Sequence, residues 1–136
     1  MPRFMLDTDI CSYVIRGTSV ELDQRLREQE PGALCMSVVT RAELLYGVRR
    51  KPGSARLERL VSAFLERVAS LPWDDECAVH YAEIRAGLEK RGQLIGNLDL
   101  MIAAHARAVG LVLVSNNERH FGHVPRLTLQ NWTRAG

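Results

Sequence analysis

"LDLMIAAHARAVGLVLVSNN", residues 98–117, sets two hydrophobic rhythms on either side of one glycine. Residues 98–109 are rich in alanine, the strongest helix former, and Gly110 is a natural helix stop. Residues 111–115 are almost continuously apolar and β-branched, the pattern of a strand covered on both faces. A helix that feeds straight into a doubly covered strand is the repeating unit of an α/β domain with a parallel sheet.

Outward from this stretch the same alternation continues. Further β-prone apolar runs lie at residues 3–6, 33–39 and 126–130, with a weaker one at 69–73. Helical patterns fill the gaps, at residues 9–16, 20–29, 41–50, 57–68 and 75–91. In the fourth of these, Leu57, Leu60, Val61, Phe64, Leu65 and Val68 recur at helical spacing, which predicts an amphipathic helix. No internal repeat, low-complexity tract or linker interrupts the 136 residues. The expected architecture is α/β: one three-layer domain over residues 1–136, with a mainly parallel central sheet of about five strands flanked by helices.

Composition narrows the function classes. With 46% hydrophobic and 25% charged residues the chain has the balance of a soluble globule rather than a disordered or fibrous one. No apolar run approaches a membrane span and the N-terminus has no signal-peptide pattern, so a cytoplasmic location is expected. Cys11, Cys35 and Cys77 are widely spaced, without a CxxC pair, and are expected to be reduced packing residues. A net charge of +2 permits a nucleic-acid partner without arguing for one.

The chemistry lies in acids placed where strands give way to helices. Asp7 follows the strand at residues 3–6, with Asp9 two residues on. Glu43 opens the helix after residues 33–39. Asp99 opens the helix of the decisive stretch, and Asn116 and Asn117 follow its strand. In a parallel α/β sheet, strand C-termini and helix N-termini share one edge, where ligand sites form at a switch in strand order. Each residue also has a purely structural reading. Thr40 and Glu43 fit a capping box. Asp7 or Asp9 can cap the first helix, Asp99 can complement a helix dipole behind an Asn97 cap, and the asparagines can form a turn. Together, however, the carboxylates repel one another unless a cation neutralises them. Oxygen-only ligands select Mg²⁺ or Mn²⁺, which can activate water and stabilise phosphoryl charge.

Four blocks, in this order and spacing, carry a family resemblance: "MLDTDICSYVI", "SVVTRAELLYGV", "GQLIGNLDLMIAAHARAVGLVLVSNNERHF" and "VPRLTLQNW". Together they span nearly the whole chain, which resembles the PIN-domain nucleases, especially the VapC-type toxins of bacterial toxin–antitoxin pairs. The resemblance implies a metal-dependent endoribonuclease restrained by a cognate antitoxin and commonly dimeric. It places the metal-binding and catalytic acids on Asp7, Glu43 and Asp99, with Asn117 as a further catalytic position. The family's fourth position departs from its usual form here. Asn116, Asn117, Glu118 and His120 all stand near it, and His120 occupies a place where many relatives carry an acid. Asp9 stands where Asn is common and is expected to act as a cap or a neighbour of the ligands.

The remaining candidates read more plainly. His80, His105 and His123 show no zinc spacing and are expected to be packing or surface residues. Arg49, Arg50 and Lys51 follow the Glu43 helix, either as cations suited to a helix C-terminus or as contacts to RNA phosphate. Trp73 and Trp132 are expected in core or edge packing rather than as base-stacking platforms. Two other functions remain open: a PIN nuclease of RNA processing without an antitoxin, and a non-catalytic binding module whose acids are only helix caps.

Overall fold

The computed structural model describes residues 1–30 and 32–134. Five strands form one fully parallel sheet: β1 (Phe4–Leu6), β2 (Leu34–Ser37), β3 (Ala69–Leu71), β4 (Val112–Val114) and β5 (Leu129–Gln130), in the spatial order β3-β2-β1-β4-β5. Seven helices connect them: α1 (Thr8–Arg16), α2 (Val20–Arg27), α3 (Val38–Arg50), α4 (Ala55–Arg67), α5 (Asp75–Lys90), α6 (Asn97–Val109) and α7 (Glu118–Phe121). The chain builds outward from β1 through β2 to β3, then returns to lay β4 against the other side of β1. The strand order therefore reverses between β1 and β4, the position where open α/β sheets form their crevice.

Successive strand residues face opposite sides of the sheet, and the two cores divide accordingly. Met5, Cys35 and Leu113 point to the layer of α5 and α6, where Ile84, Leu88 and Ile102 are buried. Leu6, Met36 and Val114 point to the layer of α1, α2 and α4, with Ile10, Leu22, Val61 and Phe64. The three cysteines are buried free thiols, as expected, and burial pushes Cys35 up to about 12. Trp132 is fully buried with its ring edge-on to Phe4, so its packing role is borne out.

Several expected boundaries move for identifiable reasons. The run at 33–39 stops at Ser37, whose hydroxyl accepts from the Val39 amide and caps α3. The β-branched Val38, Val39 and Thr40 are thereby drawn into helix against their propensity, with Val39 and Thr40 buried. This overturns the capping box: Thr40 lies inside α3, and Glu43 serves no helix end. Asn97 is likewise no cap, since Gly96 holds that position without a side-chain bond. Asp7, not Asp9, caps α1, its carboxylate accepting from the Ile10 amide at 2.8 Å. The run at 126–130 shortens to Leu129–Gln130, and Arg126, at φ 59, lies outside extended geometry. Gly110 ends α6 in the left-handed conformation expected of it, at φ 70.

Candidate active site

Asp7 stands at the switch point. Its amide donates to the Val114 carbonyl, so backbone pairing between β1 and β4 carries through to the residue that leaves the sheet. Only 3% of it is exposed. Burial pushes its carboxyl up to about 7, opposed by hydrogen bonds from Ser115 and the Ile10 amide and reinforced by the charges of Asp9 and Asp99. Burial leaves this acid short of solvation, and the neighbouring carboxylates add a field of negative charge.

Three more carboxylates share that field. Burial raises Glu43, and the charges of Asp99 and Asp9 raise it further, against a hydrogen bond from Thr8. Burial also raises Asp99, with Asp9 adding to the effect and His120 opposing it. The structure thus brings Asp7, Glu43 and Asp99 together, with Asp9 as a fourth member. Among the described residues no three His, Cys, Asp or Glu side chains close into a cage for an ion. What links the acids is the coupling of their charges.

Thr8 locks two of the supporting helices. Its hydroxyl lies 3.1 Å from the Thr40 hydroxyl and donates to Glu43 Oε1 at 2.6 Å, clasping the N-terminal turn of α1 to α3. Sequence reading passed over Thr8 and Ser115. The available signal was position: Thr8 lies between two acids, and Ser115 directly follows a buried strand.

The four candidates for the fourth position separate clearly. His120 Nδ1 lies 3.8 Å from Asp99 Oδ2, and the Asn117 side-chain amide lies 2.9 Å from the same ring nitrogen. Asn117 therefore reaches the acids through His120. With its nitrogen toward the ring the amide donates to Nδ1; turned over, its oxygen accepts from an Nδ1–H. Asn116 turns away to donate to the Tyr13 hydroxyl at 3.1 Å, and Glu118 pairs with Arg134. The other histidines lie elsewhere. His80 accepts from Arg107, and His105 is fully buried against Ser37 with its Nε2 lacking a hydrogen-bond partner among the described residues.

A cluster of oxygen ligands with a buried, charge-frustrated acid suits a hard divalent cation and the hydrolysis of a phosphodiester. Comparison with known proteins supports the nuclease part of that reading. Residues 4–127 match the PIN domain family. The chain belongs to the PIN-domain family. Ribonuclease VapC2 of Haemophilus influenzae is 42% identical over 132 residues, 97% of this chain and 99% of that protein. The tRNA(fMet)-specific endonuclease VapC of Shigella flexneri is 37% identical, over 98% of this chain and all of its own length. The solved DNA-bound VapBC complex of Salmonella typhimurium superimposes with a TM-score of 0.90 at 35% identity, covering 97% of this chain and 99% of that one. The PIN domain here is thus a ribonuclease fold of the VapC class. No helix among the described residues is long and apolar enough to cross a membrane.

Proposed function

We propose that this protein is a Mg²⁺- or Mn²⁺-dependent endoribonuclease, the toxin of a toxin–antitoxin pair, that hydrolyses RNA at the Asp7–Glu43–Asp99 cluster. The observation that carries the reading is Asp7, a buried carboxylate pushed up to about 7 at the switch point of a PIN fold. Asp7, Glu43 and Asp99 are the residues that hold the cation, and their oxygens suit a hard one. When bound, that ion supplies a more acidic water and charge stabilisation at the phosphoryl group.

The chain's own groups do the remainder. Ser115 and the Ile10 amide hold the Asp7 carboxylate in place by hydrogen bonds. Thr8 holds Glu43 in register. Asn117 sets the ring of His120 beside Asp99, where it can pass a proton or hold a polar ligand.

The partner is a small antitoxin protein. A cationic side chain inserted among these carboxylates would satisfy the same field that calls for a metal, and Arg offers a planar fork for two oxygens at once. The substrate is cytoplasmic RNA, with transfer RNA the first class to assay given the activity named for the Shigella relative.

The experiment is cleavage of a transfer-RNA pool by purified protein. Mg²⁺ or Mn²⁺ should support cleavage, EDTA should abolish it, and Asp99→Asn should lower it at least about 100-fold with the fold intact. Adding the product of the adjacent antitoxin-like gene should suppress it. Full cleavage in excess EDTA, or by Asp99→Asn, would overturn the assignment. Cleavage that the product of the adjacent gene fails to suppress would favour an RNA-processing nuclease instead.

A further inference from the structure

Asp9 and Glu43 of the acid cluster also line a groove of about 300 Å³ between α1 and α3, whose apolar wall includes Ile15, Leu44 and Val48 with Leu57 and Val61 of α4. Both helices run away from the sheet's active edge, and each carries an acid and a base on the groove wall. Asp9 and Arg16 line it from α1, Glu43 and Arg50 from α3, with Lys51 just beyond. Each acid–base pair is seven residues apart, two helical turns, so it lies on one stripe about 10 Å long. The groove is therefore acidic where it meets the catalytic cluster and basic at its far end.

Most Arg and Lys among the described residues carry no carboxylate partner, and the basic end is distinguished by gathering three of them along one groove. Arg85, Arg107, Arg126 and Arg134 all have carboxylate partners, whereas Arg16, Arg50 and Lys51 have none among the described residues. Arg16 and Arg50 instead lie over the rings of Tyr13 and Tyr46, at 5.3 and 5.9 Å from the centroids. Helix C-termini favour cations in any direction. Successive helix residues point about 100° apart, so Arg50 faces this groove while Arg49 faces the adjoining one with Leu45 and Pro52, and Lys51 lines both.

We infer that Arg16, Arg50 and Lys51 form a phosphate subsite that holds the RNA backbone flanking the scissile bond, with the strand running along the α1–α3 groove. The inference rests on the ribonuclease reading above and adds to it the path of the strand. Charge complementarity chooses the occupant. A polyanion whose cleaved phosphate is drawn to a cation in the acid cluster needs a second anchor a short distance along its backbone. Unpaired Arg and Lys side chains, two of them stacked on tyrosine, are the groups that provide it.

The test uses the whole chain with a transfer-RNA pool. Arg16→Gln and the double variant Arg50→Gln/Lys51→Gln are compared with wild type for binding in EDTA across a KCl series, and for cleavage in Mg²⁺. The double variant should bind about tenfold more weakly at moderate salt, with a log–log salt slope reduced by about one for each lost contact. Its KM should rise while cleavage at saturating RNA stays within about twofold of wild type, because the acids are untouched. Unchanged affinity and salt slope would overturn the subsite while leaving the ribonuclease assignment standing. Failure of wild type itself to cleave RNA would overturn that assignment instead. Variants that keep RNA binding but lose the antitoxin would show the groove to be a protein-docking surface, which also overturns the inference.

Discussion

At the scale of single residues, Asp7 combines a structural and a chemical demand that conflict. As the N-cap of α1 it accepts from Ile10, a bond that stabilises the helix start. As a carboxylate with 3% exposure among other acids it resists ionisation, and its pKa stands at about 7 against 3.8 for an ordinary Asp. Each pKa step corresponds to about 1.36 kcal/mol, so ionising Asp7 in the metal-free fold costs about 4 kcal/mol. The sign follows from proton counting. Between pH 4 and 7 the unfolded chain holds fewer protons than the folded one, so stability falls as pH rises through that window and levels off above it. Glu43 and Asp99 are raised too and steepen the fall. Asp7→Asn keeps the cap oxygen and removes the charge. Urea unfolding in EDTA should show the variant more stable than wild type at pH 8, with little difference at pH 4, and nearly inactive toward RNA. Mg²⁺ should restore wild-type stability at pH 8 far more than that of the variant. A wild type equally stable at pH 4 and pH 8 would contradict the burial argument. Such a residue lowers stability for the sake of its site, the trade expected where activity needs a strained group.

At the scale of elements, the site depends on how α1 and α3 are held together. The helix patterns were legible from periodicity, and so was the stop at Gly110. The start of α3 was not, because Val38, Val39 and Thr40 favour strand by local preference and are overruled by the Ser37 cap and by burial. That displaced start turns Thr40 from a cap into an inward-facing partner for Thr8. The clasp joins residues 32 and 35 positions apart, a distance at which no sequence periodicity operates. Thr8→Val removes the hydroxyl while keeping the branched shape. It should lower cleavage about 10- to 100-fold, as loss of a group that orients a metal-ligating carboxylate does. Thr8→Ser should recover most of that activity. Equal activity in Thr8→Val and wild type would show that Glu43 finds its position without the clasp.

At the scale of the whole molecule, the strand order brings the pieces to one place. Asp7 follows the central strand, and Ser115 follows its neighbour β4, so they meet only because the chain returns across the sheet after β3. The far end of the chain secures that arrangement. Trp132 is fully buried, edge-on to Phe4 of β1, with Arg25 of α2 over its ring and its indole nitrogen donating to Gln130. Trp132→Ala should cost about 3–5 kcal/mol, a large share of the stability of a domain this size. The melting temperature should fall by roughly 10–20 °C, read by circular dichroism. A fall of only a few degrees would mean that the C-terminal segment packs against the sheet without supporting it.

The residues alone determined the alternation of helices and strands, the parallel sheet and the three acids, because hydrophobic period and strand-to-helix junctions are local properties of the chain. The four family blocks carried the nuclease reading for the same reason, since each is a contiguous motif. Tertiary structure decided which polar side chains face the site. Asn116 and Asn117 are neighbours in sequence, yet one bonds Tyr13, 103 positions away, and the other reaches His120 and through it Asp99. Glu118, the nearest acid to the family's fourth position, is drawn off by Arg134. α7, the short helix Glu118–Phe121, fixes those directions, and no periodic pattern announces a single turn. Hydrogen bonds and ion pairs between distant residues depend on where the assembled sheet leaves each side chain, so only the folded chain could choose among the four.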